Sequence, residues 1–357
     1  MSFIVDKQTL EDLNLLGKYT PNSVFNLFNK AQTGGGERLL QQMFQKPLTD
    51  PLAINKRSEL LRFFENKGLA FPFDRQEFRE VENYLGTAGK RSYAGALLDI
   101  LSKKVQGLLM RDERYADLHR GLTATIKMLN ALCEFLGKLK EQATFPFEEE
   151  LNSLTSIVAD PRIQNLLQQA DITAVSVVKI ASYDYLLKQL LRNEMETLLG
   201  NIYKLDVNIA VSRVGKDHGF AYAQALPKSD NLINISALWH PALPNGVANP
   251  LNFDKNTNMI FLTGANMAGK STLMKSFGIA VYLAHMGFPV AAKNMQFSVC
   301  DGIYSSINVP DSLNMGYSHF YAEVLRVKKV AEEVATGNSF IVLFDELFKG
   351  TNVKGRL

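Results

Sequence analysis

The sequence predicts two dissimilar parts, a helical domain over residues 1–222 and an α/β domain over 223–357. Three observations carry that division. Tyr183, Leu187, Leu190, Leu191, Met195, Leu198, Leu199, Ile202 and Leu205 recur at steps of three and four, and no proline lies between Pro161 and Pro227. That spacing predicts one helix of about 25 residues or more, roughly 40 Å long. Beyond Lys228 the texture changes to short apolar runs between turns, Leu232–Ile235, Met259–Leu262 and Phe340–Phe344, with helical stretches between them. The last two read as buried parallel strands, and the alternation reads as α/β. Finally, Gly264-Ala265-Asn266-Met267-Ala268-Gly269-Lys270-Ser271-Thr272 fits G-x-x-x-x-G-K-[ST] between a strand-like run and a helical one.

Composition sets the bounds. The chain has 357 residues, 46% hydrophobic and 21% charged, which excludes wholesale disorder and fibrous repeats. Lysine and arginine number 39 against 36 acids. Up to residue 230 there are 29 basic and 28 acidic residues, and beyond it 10 and 8. Neither part is a basic module, so any nucleic-acid contact rests on local patches. Cys133 and Cys300 are too few for a disulfide framework or a zinc site, and read as small apolar residues in a reducing compartment. The N-terminus MSFIVDKQTLEDL has no basic region followed by an apolar run, and no uninterrupted apolar stretch of about 18 residues occurs. The expectation is a cytoplasmic protein without a membrane segment.

Within the first part, Asp6–Leu16 has helical spacing. Gly34-Gly35-Gly36 precedes the helical stretch Glu37–Phe44 but no Lys-Ser/Thr follows, so a hinge or helix start is expected there rather than a phosphate loop. Lys103, Lys104, Arg111, Arg114, Arg120, Lys127, Lys138 and Lys140 are diluted by Asp112, Glu113, Asp117 and Glu148–Glu150. They read as a solvated helix face in preference to a phosphate-contacting patch.

The chemistry concentrates in the second part. Glycines 264 and 269 let backbone N–H groups turn inward, and a helix start adds partial positive charge, so the segment suits phosphate. Lys270 is placed to neutralise β- and γ-phosphate charge, and the Ser271 hydroxyl to meet Mg²⁺. Downstream, Phe340–Phe344 ends in Asp345-Glu346. A carboxylate at a strand end suits Mg²⁺ through water, and Glu346 suits a general base for the attacking water. Asp311–Glu323 is a polar, glycine-containing segment running into a helical pattern, with Ser318 just before it. Such a serine at a helix start suits an anion, in its own site or across a two-fold axis in a partner's. His319 reads as a cap or packing residue rather than a catalyst.

These segments resemble the MutS family of mismatch-repair ATPases: ANPLNF (248–253), TGANMAGKST (263–272), DSLNMGYSHF (311–320) and FDELFKGTN (344–352), with Trp239-His240-Pro241 at the domain's opening. DKQTLEDLNLL and TGGGERLLQQMFQKPLTD are similar to the start of that family's helical core, so the likeness covers nearly the whole chain. The resemblance implies an all-helical core and lever domain with a shortened clamp, then an ABC-type P-loop ATPase domain, incomplete at its C-terminus. It implies ATP and Mg²⁺ as ligands, with residues 264–272 on the phosphates, Ser271 and Asp345 on the metal, and Lys270 and Glu346 catalytic. Asn249, Leu251 and Phe253 would lie by the adenine, and Ser318 would act in trans. Double-stranded DNA and a second copy of the chain are the implied partners.

Departures from the family pattern mark a divergent branch. Ala265 and Ala268 stand for a usual proline and glycine, Tyr317 and His319 for arginine and threonine, and Phe348-Lys349 for glycine-arginine. The family's mismatch-reading N-terminal domain is expected to be absent. With 11 residues after Glu346, its later strands, switch histidine and dimerising helices are expected to lie outside this sequence. Two readings compete: an ATP-driven DNA switch, and a nucleotide-gated interaction module that binds ATP with little hydrolysis. A chromosome-structuring ATPase would need long flanking coiled coils, for which the chain is too short.

Overall fold

The computed structural model describes residues 2–17, 22–110, 113–140, 146–168, 175–243, 246–307 and 319–347. In chain order the elements are β1 (Ile4–Val5), α1 (Lys7–Asp12), α2 (Val24–Phe28), α3 (Gly34–Gln45), α4 (Pro51–Lys67), α5 (Arg75–Leu85), α6 (Tyr93–Met110), α7 (Arg114–Lys140), α8 (Glu148–Val158), α9 (Pro161–Leu167) and α10 (Val177–Tyr185). A π-turn at Leu186–Leu190 leads into α11 (Arg192–His218). Then follow β2 (Ala221–Tyr222), β3 (Gln224–Leu226), β4 (Ile233–Leu238), β5 (Asn249–Phe253), α12 (Lys270–His285), β6 (Pro289–Val290), β7 (Asn294–Ser298), β8 (Gly302–Ser306), α13 (His319–Val334) and β9 (Phe340–Phe344). The fold is thus mixed helix and sheet. Among the described residues no helix is long and apolar enough to cross a membrane.

Local chemistry explains most helix starts. Asp50, Asp74 and Asp160 accept backbone N–H bonds at the starts of α4, α5 and α9, and Pro51 and Pro161 occupy first-turn positions that need no donor. The chain divides into two compact units. One comprises Met1–Lys30, Leu40–Gly68 and Ala210–Leu357, the other Ala31–Leu39 and Leu69–Ile209.

The second unit is helical, with Phe78, Val81, Leu122, Leu129, Leu198 and Ile202 in its core. The long apolar stripe is partly rephased. Leu187, Leu191, Met195, Leu198, Ile202 and Leu205 are buried, but Leu190 is 51% exposed. The reason is the π-turn, where Leu191 N–H bonds to Leu186 O (2.8 Å). One extra residue in that turn rotates the following helix by about 100°, so the uninterrupted helix starts at Arg192 instead of near Tyr183. The glycine run is a helix start. Thr33 Oγ1 accepts from Gly36 N (2.9 Å), Glu82 from Gly34 N and Gly35 N, and Asp206 from Gln32 N and Thr33 N. The chain's own carboxylates therefore take the place an outside anion would need. Gly35 is required by packing, because a Cβ there would lie 2.2 Å from the Tyr203 ring. Much of the basic stretch is engaged locally: Lys103 with Asp99 (2.6 Å), Lys127 with Glu77 (2.8 Å), Arg120 with Asp117, and Arg114 with Gln106 (2.7 Å). Arg111 lies outside the described residues.

The first unit holds the strands. β1, β8 and β9 form a parallel sheet in that order, with Ile4 opposite Gly302 and Ser306 opposite Phe344. β3, β7, β4 and β5 form a second sheet, in which β3 and β7 run parallel and the other pairs antiparallel, and β2 pairs with β6. Two expectations are corrected here. The N-terminal residues are not wholly helical, because Ile4–Val5 supply an edge strand to the sheet that carries β9. Met259–Leu262 form no strand, and their side chains stand 69%, 38%, 84% and 36% exposed. The apolar pattern is there, but a strand also needs a neighbour for its N–H and C=O groups, and none of the described strands pairs with this run. The half of α12 from Ser276 to His285 is buried, the Tyr282 hydroxyl donates to Phe44 O, and the Phe28, Phe44 and Phe288 rings pack on one another.

His285 gives this unit a pH dependence. Its Nδ1 faces Leu48 O at 2.7 Å, and a carbonyl only accepts, so Nδ1 carries the proton. Nε2 then accepts from the Cys300 amide at 3.3 Å. Burial lowers the imidazole pKa to about 4, against partial opposition from the Leu48 bond and Asp301. The unfolded chain therefore binds the extra proton first. Stability is full above the usual histidine value and falls as pH drops below it. Between pH 7.5 and 5 the loss should be about 2 kcal/mol. Urea unfolding at the two pH values measures it, and His285→Gln should flatten the difference.

Candidate functional site

The loop before α12 is built by backbone conformation. Gly264 and Gly269 hold φ of 155° and 92°, and Gly269 is the residue before the first helical turn. Met267 also has positive φ (66°), at a tip where its side chain is wholly exposed. Ala268 N donates to Ala265 O (3.2 Å), closing the turn around Asn266 and Met267. Lys270 folds back on the loop, and its Nζ donates to Gly264 O (2.7 Å) and Ala265 O (3.0 Å). Thr272 continues the helix, its carbonyl accepting from Ser276 Oγ (2.7 Å). Residues 254–269 are exposed throughout.

The other half of the motif arrives through the parallel sheet. β9 runs beside β8, and Asp345 N continues the ladder to Ser306 O (3.0 Å). Asp345 Oδ2 accepts a hydrogen bond from Ser271 Oγ, joining residues 74 apart in sequence. Glu346 follows at φ 45°, a region that costs a residue with a side chain on the order of 1 kcal/mol. Among the described residues no group of three or more His, Cys, Asp or Glu could hold a metal, which leaves a hydroxyl and a carboxylate side by side. That oxygen pair fits Mg²⁺, which takes one or two carboxylates and completes its shell with water and phosphate oxygens.

The remaining candidates are dispersed. Asn249, Leu251 and Phe253 lie on β5. Asn249 Nδ2 donates to Val247 O (3.0 Å) and Leu251 is buried. The Phe253 ring stacks on Phe277 of α12, with centroids 5.2 Å apart and planes at 21°. The His240 imidazole is lowered from its usual value by burial and by Lys275. Ser318 lies outside the described residues, and α13 begins at His319.

Sequence reading overlooked a polar network under the site. Ser305, on β8, has its N–H bonded to Thr9 Oγ1 (2.9 Å), its hydroxyl to Asp12 Oδ2 (2.7 Å) and its carbonyl to Arg326 Nη2 (2.6 Å). Arg326 also pairs with Asp6. Burial would raise the Asp6 carboxyl, but hydrogen bonds from Arg326 and Thr9 outweigh it and hold it well below the usual carboxylate range. The available signal was the three-residue step Asp6, Thr9, Asp12, which places all three on one side of a helix.

The profile of MutS domain III matches residues 8–212, and that of MutS domain V matches residues 260–356. The chain belongs to the MutS family. The domain V match takes in the loop, β8, α13 and β9, and the domain III match ends inside α11. The DNA mismatch repair protein MutS of Lawsonia intracellularis is 28% identical over 290 residues, covering 76% of this chain and 32% of the relative. The MutS proteins of Leuconostoc mesenteroides and Fusobacterium nucleatum are each 33% identical, over 165 and 192 residues, covering 44% and 51% of this chain and 19% and 21% of theirs. The chain thus spans about a third or less of the length of these MutS relatives.

Proposed function

We propose that this MutS-family chain carries an ABC-type P-loop site that binds and hydrolyses ATP with Mg²⁺, in DNA mismatch repair or a related DNA transaction. One observation carries the reading: the Ser271 hydroxyl donates to Asp345, so the loop's metal-binding hydroxyl and the strand-end carboxylate already meet. In this reading the amides of residues 264–272 cradle the phosphates, and Lys270 exchanges the carbonyls of Gly264 and Ala265 for phosphate oxygens. Ser271 and Asp345 hold Mg²⁺, which when bound neutralises charge on the phosphate oxygens. Glu346 accepts the proton of the attacking water, and that carboxylate favours hydrolysis over the binding-only alternative. Asn249, Leu251 and Phe253 are assigned to the adenine side and Ser318 to a partner copy's nucleotide. The working form is a homodimer on double-stranded DNA, with hydrolysis coupled to movement of the helical lever.

Calorimetry with ATP tests the site. The expected result is uptake that tightens at least tenfold with Mg²⁺, with the Mg²⁺ gain lost in Ser271→Ala. No uptake by the parent protein would end the reading. The same protein titrated with duplex DNA at two salt concentrations should bind more weakly at the higher one, because phosphate contacts release counterions.

A further inference from the structure

We propose that Asp12 is a positioning residue of the nucleotide site, acting through β8 on the metal-binding Asp345; the inference rests on the ATP–Mg²⁺ reading above. The route is a short chain of hydrogen bonds between groups of one compact unit. Asp12 is buried at 4% exposure, and its Oδ2 accepts from Ser305 Oγ (2.7 Å) and Ile307 N (3.0 Å). Those two residues flank Ser306, and Ser306 O is the acceptor for the Asp345 amide (3.0 Å). Asp345 in turn receives the Ser271 hydroxyl. One carboxylate on α1 therefore holds the last turn of backbone from which the metal-binding carboxylate is registered.

The anchor is itself held on more than one side. Thr9, on the same face of α1, takes the Ser305 amide, and β1 pairs with β8 at Ile4 and Val5. From α13, Arg326 donates to Ser305 O through Nε (3.2 Å) and Nη2 (2.6 Å), and to Thr9 Oγ1 (3.2 Å), while it pairs with Asp6. Every polar atom of Ser305 is thus used by the N-terminal segment or by α13. Among the described residues β9 has a pairing partner on one side only, namely β8. The end of β8 is therefore the main sheet contact that sets where Asp345 sits. Positioning matters at this point because Mg²⁺ demands near-ideal octahedral geometry and a misplacement of about 1 Å costs it dearly. This gives the motif Asp6–Asp12, remote in sequence from the loop, a part in the site.

The test is Asp12→Asn, which keeps the shape but replaces the carboxylate by a neutral amide, a weaker acceptor for the two converging donors, with Ser305→Ala as a milder second variant. Affinity for a fluorescent ATP analogue is measured in EDTA and in Mg²⁺. The expected result is unchanged metal-free affinity, a Mg²⁺ gain reduced about tenfold in Asp12→Asn and about threefold in Ser305→Ala. In nucleotide-free protein the Asp345 amide should exchange its hydrogen about tenfold faster in Asp12→Asn. A role confined to general stability would lower the midpoint of unfolding without changing the Mg²⁺ gain, and would overturn the inference. So would parent-like gain and exchange in both variants. A parent protein that binds no analogue in either buffer overturns the nucleotide reading itself, and the inference with it.

Discussion

Glu346→Gln is expected to retain ATP within about threefold of the parent affinity and to lower turnover by roughly two to four orders of magnitude. The size follows from what the substitution removes. Glutamine keeps the volume and a carbonyl oxygen but cannot accept a proton from water, so the loss falls on the chemical step. In the proposed site, binding is assigned elsewhere, to the 264–272 backbone and Lys270, neither of which changes. Glu346 also stands at φ 45° directly after the strand that delivers Asp345. Backbone strain of that kind, placed beside the carboxylate proposed to hold Mg²⁺, is expected where a side chain must be aimed rather than merely exposed. Single-turnover hydrolysis measured alongside ATP affinity separates the two effects. Parent-like turnover in Glu346→Gln would remove the general-base assignment and bring the binding-only alternative forward.

Asp184→Ala should destabilise the helical unit by about 3–5 kcal/mol. Asp184 and Lys188 are a buried pair, with side chains 8% and 7% exposed and Nζ 3.0 Å from Oδ1. The same Oδ1 accepts the Tyr84 hydroxyl (2.9 Å), and the Lys188 ammonium lies 3.8 Å from the Tyr84 ring centroid. Burial lowers the Lys188 pKa from its usual value, and Asp184 counters it. Burial and the Asp184 charge together push the Tyr84 hydroxyl well up. Removing the carboxylate leaves a buried ammonium without its ion-pair partner and a phenol without its acceptor, and both are costly. Replacing the pair by Asp184→Leu with Lys188→Met should cost far less, because no buried charge is stranded. Urea unfolding of the single and double variants gives the comparison. A single-variant loss below about 1 kcal/mol would mean the ammonium reaches water by a small shift of the π-turn.

How much of this was legible in the sequence varies by element. The motif at 264–272 was legible because its glycines, lysine and hydroxyl stand at fixed offsets, and those offsets are local. α12 and β9 were legible for the same reason, since their patterns are complete within a few residues. The run Met259–Leu262 shows the limit of that logic. Its apolar pattern is as clear as that of Phe340–Phe344, yet the latter pairs with β8 and the former pairs with none of the described strands. The break near Leu190 was hidden too, because a π-turn changes phase without changing composition.

The residues by themselves determined the mixed helix-and-sheet character of the chain and the carboxylate-terminated strand Phe340–Phe344. Each of those depends on side-chain chemistry at short range. Only the folded chain decided that Ser271 meets Asp345, that β1 joins the sheet bearing β9, that Asp12 reaches Ser305 and Ile307, and that the triple glycine is closed by Glu82 and Asp206. These are contacts between groups tens to hundreds of positions apart. No local pattern encodes them, because which distant partner satisfies a buried carboxylate or an open strand edge is settled by packing the whole unit at once.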